Sequence, residues 1–346
     1  MQRSVKPGPV VIVGAVAALV LTTLWWLTAG PQPSGRSTLV VYCAHDAVYS
    51  EEILQQFQQR TGIRVETRFD TEATKSLGLV ELIKQERGHP RCDVFWNNEL
   101  LGTVDLKEQG LLEPYRGLGW TRIPERFRDP DGYWVGFGAR LRVWIVNKNA
   151  LSADDESLQT AMELETSRGA VAMPLFGTTL THYTVLQHAW GEERLRRWHE
   201  EVRRRGLREV KGNAMVKDVV ATGQADFGWT DTDDAFVALD DGAPVDMLPI
   251  RVEGKTIAIP NTVAIVRGCR HRGEAEQLVD FLASADTELK LAKSRARQIP
   301  LGPVEESQLP AEVQRLKGWA DDGRDLRDLL TVRQAVIAWL TAEYAP

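Results

Sequence analysis

The chain has 346 residues, of which 43% are hydrophobic and 26% are charged. This composition is typical of a globular protein with a large core, and it excludes a disordered or collagen-like chain. The 48 acidic residues exceed the 42 basic ones, so the net charge is −6. A nucleic-acid partner is disfavoured because no basic excess is available to neutralise phosphates. The length favours two domains once any targeting segment is removed.

The first 36 residues are predicted to be a membrane anchor or a signal peptide and not part of the folded domains. No charge occurs between Lys6 and Arg36, and residues 10–29 form a continuous apolar to weakly polar run. About 20 apolar residues can span a bilayer as a helix, whereas a cleaved signal peptide usually has about 7 to 15. We therefore favour an uncleaved anchor over cleavage near Thr28 and Gly30. The rest of the chain is then periplasmic and tethered to the inner membrane.

The three cysteines are predicted to be free thiols. Cys43 ends one predicted strand and Cys92 begins another, so in a parallel sheet they lie too far apart to bond. Cys269 follows a glycine in a predicted surface turn. The spacing of the three residues also differs from that of a zinc ribbon.

Two units of alternating strands and helices follow one another along the exported part of the chain. Continuous apolar runs such as T-L-V-V-Y-C at residues 38–43 are typical of strands buried on both faces, and stretches with helical spacing separate them. Strands are predicted at residues 38–43, 64–69 and 93–96 in the first unit and near residues 170–173, 207–211 and 226–229 in the second. This alternation predicts an α/β fold built on parallel sheets with right-handed crossovers.

Two long extended segments, residues 134–147 and 256–266, connect the two units. They indicate that the chain crosses from a first lobe to a second lobe and then returns, with a flexible joint near Gly138. The predicted first lobe is residues 37–138 plus 262–346, and the predicted second lobe is residues 139–261.

Polar side chains follow the predicted strands at the points where the strands end. In an open α/β sheet the ligand binds outside the carboxyl ends of the strands. These clusters are therefore expected to face one another across a cleft between the lobes. Together with one arginine of the first crossover segment, they supply the candidate ligand-binding residues His45, Thr71, Asn97, Asn98, Glu99, Arg140, Thr178, Thr179, Asp231 and Asp233.

Helix capping is a simpler explanation for several of these residues. Asp, Thr and Asn are common immediately before a helix, and acidic residues in the first turn are favoured by the helix dipole, which accounts for Asp233 and Asp234. Capping does not explain Asn97, Asn98 and Glu99 together, directly after an apolar strand.

A set of short motifs runs in order from about residue 40 to residue 301 and covers nearly all of the exported chain. They include V-V-Y-C-A-H-D at residues 40–46, D-V-F-W-N-N-E at 93–99, P-L-F-G-T-T at 174–179, F-G-W-T-D-T-D-D-A at 227–235 and I-P-N-T-V-A-I at 259–265. In these motifs the chain resembles the bacterial family 1 extracellular solute-binding proteins of ABC importers. Within this family it is most similar to the ferric-iron-type branch, which is related to thiamine- and phosphonate-binding members. The resemblance implies a two-lobe periplasmic-binding-protein (venus-flytrap) fold that closes on a solute and delivers it to permease subunits in the membrane.

The resemblance also implies a set of metal ligands. In the ferric members an early histidine, a glutamate after the third strand and two adjacent tyrosines of the second lobe hold the iron. His45 approximately matches the histidine and Glu99 the glutamate. The segment T-D-T-D-D at residues 230–234 stands where the tyrosine pair is expected, and the chain has no adjacent tyrosines. The metal ligands implied for this chain are His45, Glu99 and Asp231.

The missing tyrosine pair leaves the solute open. Phenolate oxygens favour Fe(III), whereas a carboxylate set also suits divalent cations. Threonine hydroxyls with Arg140 or Arg142 equally suit an organic phosphate, a phosphonate or a thiamine-like solute, because a guanidinium can form a bidentate contact with phosphate. We expect a small polar solute, with iron or another metal ion first and the phosphorylated class as the alternative.

The protein is expected to be a monomeric binding protein and not an enzyme, with no cofactor beyond a metal ion such as Fe(III) carried as solute. One alternative is a metal-dependent phosphohydrolase that uses His45, Glu99 and the acidic cluster at residues 231–234. It is disfavoured because no local motif in the sequence pairs a nucleophile with a base. A sensory ectodomain is a second alternative, disfavoured because only about six residues precede the apolar run.

Overall fold

The computed structural model describes residues 38–70, 77–158 and 168–345 of the chain. The predicted N-terminal anchor or signal peptide and the candidate ligand-binding residue Thr71 lie outside the described residues. Within those three ranges, no helix is both long enough and apolar enough to cross a membrane.

The first lobe begins with three parallel strands separated by helices, and the first two strands have the predicted bounds. Strand β1 is buried on both faces because Leu39 and Val41 pack into the core on one side of the sheet and Tyr42 packs into the core on the other. The elements of this region are β1 (Thr38–Cys43), α1 (Ala47–Thr61), β2 (Arg64–Phe69), α2 (Leu77–Gln85), β3 (Val94–Asn97), α3 (Leu101–Glu108), β4 (Leu112–Glu113) and α4 (Leu118–Arg122).

Helix α1 shows how the sequence sets the position of a helix beside the sheet. Ile53, Leu54 and Phe57 recur at helical spacing and are buried. Gly62 ends the helix with a φ of 74°, a left-handed conformation that glycine adopts at little cost. The start of α1 therefore lies at the carboxyl end of β1, directly after Asp46.

The second lobe contains a second set of parallel strands, in the order β7-β6-β8. Strand β5 pairs antiparallel with β8, and β9 pairs antiparallel with β5. All four strands of the order β5-β8-β6-β7 carry buried or half-buried residues, and helices cover the sheet. The elements of this region are β5 (Val135–Asn147), β6 (Gly169–Ala172), α5 (Gly177–Trp190), α6 (Glu192–Arg204), β7 (Arg208–Val210), α7 (Asn213–Ala221), β8 (Phe227–Asp231), α8 (Thr232–Asp240) and β9 (Val245–Pro249).

The remaining elements follow β9 along the chain. They are β10 (Arg251–Val252), β11 (Lys255–Thr256), β12 (Ala258–Val266), α9 (Arg272–Leu282), α10 (Ala285–Lys293), α11 (Ala311–Asp321) and α12 (Leu330–Glu343). Helix α9 packs on β12, β3 and α4. Helix α12 packs on α5 and also on α3, so the end of the chain contacts elements of both lobes.

Two strands join the lobes. The first half of β5 pairs with β12, and its second half, from Arg142 onward, pairs with β8 and β9. Strand β12 pairs with both β5 and β3, and its register shifts between Pro260 and Asn261. The predicted α/β fold with two lobes and two crossover strands is confirmed by this topology and by the structural comparisons below. The thiols of Cys43 and Cys92 are buried and free, and that of Cys269 is half-buried and free.

Candidate functional site

A cleft of about 220 Å³ is lined by residues of both lobes. Among the described helices, α1, α5, α7 and α8 begin at its wall, each shortly after a strand. The positive ends of these helix dipoles therefore lie at the cleft. Its polar and charged lining residues are Asp46, Tyr49, Asn98, Arg140, Thr178, Thr179, Lys211, Asn213, Lys217, Asp231, Asp233 and Asp234.

The buried carboxylate of Asp231 is the centre of a hydrogen-bond network in the cleft wall. Its Oδ1 accepts from Nη1 of Arg142 at 2.8 Å. Its Oδ2 accepts from the Thr178 hydroxyl at 2.6 Å, from Nδ2 of Asn213 at 3.0 Å and from Nε of Arg140 at 3.3 Å. Burial raises the pKa of this carboxyl, but the guanidinium groups of Arg142 and Arg140 outweigh burial and lower the pKa below its ordinary value. Asp231 is therefore ionised at neutral pH and already paired with protein groups.

Strand register explains why two arginines converge on one aspartate. Residues two apart on a strand point to the same face of the sheet, so Arg140 and Arg142 of β5 share a face. Arg142 is the cross-strand partner of Asp231 on β8. The alternation of the sequence R-L-R and the pairing of the two strands are therefore sufficient to build the charge cluster.

Arg140 of the cleft wall also has a buried donor without a partner among the described residues. Its Nη2 donates to the backbone carbonyl of Asn98 at 2.6 Å. Its Nη1 is buried and has no hydrogen-bond partner among the residues that the structure describes. Burial lowers the pKa of Arg140, but the carboxylates of Asp233 and Asp231 raise it above its ordinary value. Because a buried cationic donor without an acceptor costs free energy, an acceptor bound at Nη1 would stabilise this wall.

The N-termini of α5 and α7 form a basic side of the cleft. In the described part of the chain, neither helix has a side-chain cap on its first backbone N–H groups. The Thr179 hydroxyl donates to Oδ1 of Asn213 at 3.2 Å, which connects the two helix ends. Lys211 and Lys217 lie on the same wall. Uncapped N–H groups and cationic side chains together suit an anionic group.

An acidic side of the cleft lies at the start of α8. Single carboxylate oxygens of Asp231, Asp233 and Asp234 lie within 4.8 Å of one another, an arrangement that can hold a metal ion. Tyr49 of α1 is close to this acidic side. Burial, followed by the negative charges of Asp233, Asp46 and Asp234, raises the pKa of the Tyr49 phenol to about 12. Carboxylate oxygens are ligands that hard cations prefer, whereas the raised pKa keeps the Tyr49 phenol protonated at neutral pH.

His45, one of the implied metal ligands, does not line the cleft. Its ring is buried, with Nδ1 accepting from the backbone N–H of Asp46 at 2.9 Å and Nε2 lying 2.9 Å from Nε2 of Gln298. The ring also packs 5.4 Å from the ring of Trp96. Both ring nitrogens have protein partners, so His45 connects the loop after β1 to the segment after α10 in this conformation.

Glu99, the second implied metal ligand, is also buried behind the cleft wall. Its carboxylate accepts from the backbone N–H groups of Leu101 at 2.7 Å and Gly102 at 2.6 Å, at the start of α3. Its Oε1 lies 3.5 Å from Nη2 of Arg333 on α12. Helix capping and a buried ion pair therefore occupy this carboxylate. Asn97 is likewise buried outside the cleft lining.

The expectation that ligand-binding residues follow the carboxyl ends of the strands thus located most of the cleft wall. The predicted ligand-binding residues that line the cleft are Asn98, Arg140, Thr178, Thr179, Asp231 and Asp233. Those that the structure places behind the wall are His45, Asn97 and Glu99. The predicted ligand-binding residues did not include the polar lining residues Asp46, Tyr49, Lys211, Asn213, Lys217 and Asp234. The segment K-G-N-A at residues 211–214 follows the end of β7, so Asn213 could have been predicted from its position after a strand. Tyr49 lies inside the first turn of α1 and could not have been predicted in this way.

Comparison with known proteins identifies the class. A family model for the bacterial extracellular solute-binding proteins matches residues 39–294, and the chain belongs to this family. Among curated relatives, iron uptake protein A1 of Synechocystis sp. is 25% identical over 276 residues, which are 76% of this chain and 75% of that protein. The members of this family are extracellular solute-binding proteins.

Solved structures share the fold of this chain. Apo ferric ion-binding protein A of Pasteurella haemolytica matches with a TM-score of 0.75 and 20% identity, over 89% of this chain and 97% of that one. A periplasmic binding protein of Actinobacillus pleuropneumoniae with fructose-6-phosphate bound matches with a TM-score of 0.73 and 17% identity, over 89% of this chain and 99% of that one. At these identities the likeness establishes the two-lobe periplasmic-binding-protein fold.

Proposed function

We propose that the protein is the extracytoplasmic solute-binding component of an ABC importer, acting as a monomer tethered to the inner membrane by its N-terminal segment. In this proposal the solute is captured between a first lobe of residues 37–138 plus 262–346 and a second lobe of residues 139–261, and is delivered to permease subunits. Membership of the solute-binding family supports the role. The pairing of β5 and β12 supports the division into lobes.

A metal ion, with Fe(III) first, is the solute that the cleft supports best. The observation that carries this proposal is the group of three carboxylates, Asp231, Asp233 and Asp234, near the phenol of Tyr49. Asp231 binds two arginines, and Asp233 also forms an ion pair with Arg140 at 3.9 Å, so Asp234 is the strongest candidate for a direct ligand. Fe(III) is a hard cation that favours such oxygen ligands. The names of the iron uptake and ferric ion-binding relatives support the same solute.

A phosphorylated or phosphonate solute is the second candidate, and a separate observation favours it. The uncapped N-termini of α5 and α7, together with Lys211 and Lys217, provide donors on the basic side of the cleft, and Arg140, whose Nη1 has no partner among the described residues, lines the same cleft. Such donors bind phosphate oxygens well. The structural neighbour with fructose-6-phosphate bound supports this class.

Calorimetry on two variants separates the candidates. For a metal solute, Asp234→Asn should weaken binding of Fe(III) citrate at least about tenfold, while Arg140→Gln retains most of it. For a phosphorylated solute, Arg140→Gln should weaken binding of fructose 6-phosphate by a similar factor and Asp234→Asn should have little effect. Matched controls are Asp226→Asn and Arg168→Gln, because these two residues form an exposed ion pair that does not line the cleft.

Native mass spectrometry identifies the solute independently of any assumed class. The full chain is purified without chelator, and the mass difference between native and denaturing conditions gives the mass of what is bound. A bound mass that matches neither a metal ion nor a phosphorylated molecule would refute both candidates. Unchanged binding of the identified solute in both cleft variants would show that the site lies elsewhere.

A further inference from the structure

Two arginines that follow α10 form ion pairs with the C-terminal end of α8. Nη1 and Nη2 of Arg297 donate to the two carboxylate oxygens of Asp240 at 2.8 Å and 2.7 Å. Nη2 of Arg295 donates to Oδ1 of Asp241 at 2.6 Å, and its Nε lies 3.6 Å from Oδ2 of Asp240. The four side chains therefore form one network and not two separate pairs.

The two halves of this network lie on different lobes. Both α10, which precedes the arginines, and α8, which ends at the aspartates, pack on the crossover strand β5. Helix α10 otherwise packs on α9, and its Lys290 forms an ion pair with Glu52 of α1 at 2.8 Å, whereas α8 otherwise packs on α7, β8 and β9. The ion pairs therefore connect the first lobe to the second, and this step rests on the lobe division of the proposed function.

The geometry distinguishes this network from an ordinary surface ion pair. An isolated exposed pair contributes little, whereas bidentate pairs and networks contribute more. The Arg297 side chain is only 20% exposed, and its guanidinium lies 4.9 Å above the ring of Phe236. Arg295 also donates to the backbone carbonyl of Val237 at 3.4 Å. Val237 lines the cleft, so the network is at the rim of the solute site.

The residues after the arginines are fastened to both crossover strands. Ile299 and Ala139 of β5 exchange two backbone hydrogen bonds, each of 2.7 Å. The Gln298 side chain accepts from Nδ2 of Asn261 on β12 at 2.7 Å. Arg297 itself has a φ of 44°, a conformation that non-glycine residues seldom adopt and that the surrounding contacts must maintain. The arginines are thus held in place relative to the strands that join the lobes.

We propose that Arg295 and Arg297 form an ion-pair latch with Asp240 and Asp241 that holds the lobes together at the rim of the cleft and sets the ratio of closed to open protein. Helix α8 carries acidic cleft residues in its first turn and the latch aspartates at its C-terminal end. Solute binding and formation of the latch therefore both favour the same closing movement of the two lobes. The latch acts on closure and does not require a particular solute.

Distance measurements between spin labels test the latch directly. Labels are placed on the full chain at the exposed positions Gln59 of α1 and Thr222 after α7 with the substitutions Gln59→Cys and Thr222→Cys, in a Cys269→Ser background that removes the half-buried thiol. Pulsed electron paramagnetic resonance then gives the distribution of interlobe distances, without solute and with Fe(III) citrate as the probe.

Charge reversal should open the protein, and charge exchange should close it again. Arg297→Glu and Asp240→Arg are each expected to increase the long-distance population about three- to tenfold, and the double variant should restore the original distribution. Arg60→Glu is the matched control, since Arg60 pairs with Asp286 within the first lobe at 3.4 Å. Raising the salt concentration should lengthen the distances in the original protein but not in Arg297→Gln.

The outcomes separate the latch from the proposed function. Unchanged distances in both single variants, or no restoration in the double variant, would overturn the latch whatever solute is bound. Changed and restored distances establish the latch, even when Fe(III) citrate fails to bind and the iron assignment is abandoned.

Discussion

Oε1 of Glu99 lies 3.5 Å from Nη2 of Arg333, and both side chains are buried. The pair connects the start of α3 in the first lobe to the last helix of the chain, α12. Glu99, which the family resemblance implied as a metal ligand, thus holds two parts of the fold together in this structure.

Glu99→Gln is expected to destabilise the protein and to leave solute affinity nearly unchanged. The glutamine amide has only one acceptor oxygen in place of the two of the carboxylate, and it leaves Arg333 buried without its counter-charge. The unfolding free energy should therefore fall by about 2 to 4 kcal/mol. Urea unfolding measures the loss, and calorimetry with Fe(III) citrate measures affinity. Arg333→Gln is the matched partner, and the double variant should lose less stability than the sum of the single ones. A selective loss of iron binding without loss of stability would restore Glu99 as a ligand.

Asp231→Asn should cost more than any exposed aspartate substitution. The change leaves the buried guanidinium groups of Arg140 and Arg142 without their shared counter-charge, and breaking such a pair typically costs about 3 to 5 kcal/mol. Urea unfolding of the variant, compared with Asp226→Asn, provides the measurement. The Asp226→Asn control should change stability by less than about 1 kcal/mol, because its pair with Arg168 is exposed. Equal effects in the two variants would contradict the network.

Gly138→Ala tests the joint in β5. Gly138 has a φ of 49°, and a Cβ atom there would lie 2.8 Å from Oε1 of Gln298 and 3.2 Å from Cδ1 of Leu291. Left-handed strain and this crowding should together lower the unfolding free energy by about 2 kcal/mol or more. Gly318→Ala is the opposite case, since the same added atom in α11 meets nothing within 4 Å. That change should raise stability by about 0.5 to 1 kcal/mol.

His182 should make stability depend on pH below neutrality. Burial, followed by the charge of Arg142, lowers the pKa of His182 well below its ordinary value of 6.5. The unfolded chain therefore binds a proton that the folded protein does not as pH falls below 6.5. Stability should decrease by up to about 1.4 kcal/mol per pH unit between 6.5 and the lowered pKa, and should not change from this cause above 6.5.

The variant His182→Gln isolates this contribution. Urea unfolding between pH 7.5 and pH 5 should show a shallower loss of stability in the variant than in the original protein. His188→Gln, at an exposed position near the end of α5, is the matched control and should follow the original protein. Parallel curves for His182→Gln and the original protein would show that His182 takes up its proton in the folded state.

The sequence pattern was sufficient for the main parallel strands and the two crossover strands, whereas the short strands β4, β9, β10 and β11 were not predicted. The apolar run at residues 38–43 and the stop at Gly62 define β1 and α1, because strand burial and helix termination depend on local residue types. The expectation that ligand-binding residues follow strand ends then placed Asn98 and Asp231 correctly at the cleft, since the carboxyl ends of parallel strands share one edge of a sheet.

The sequence pattern could not predict the direction in which individual side chains point at that edge of the sheet. Asn98 lines the cleft while the adjacent Glu99 turns back to the N-terminus of α3, a choice set by the path of one short turn. The partner of Glu99, Arg333, is more than two hundred residues away along the chain. No local periodicity reports such a contact, because it arises only when α12 packs on α3 and α5.

The position of β12 between β3 and β5 fixes the order in which the molecule can be assembled. Strands β1 to β3 are made early, yet the strand that covers the edge of β3 ends only at Val266. The strands of the second lobe, by contrast, follow one another closely along the chain. A chain that is synthesised and folds from its N-terminus therefore completes the second lobe first. The edge of β3 stays unpaired until β12 has formed. An unpaired edge can pair with other chains, so β3 is the strand most exposed to aggregation until β12 forms.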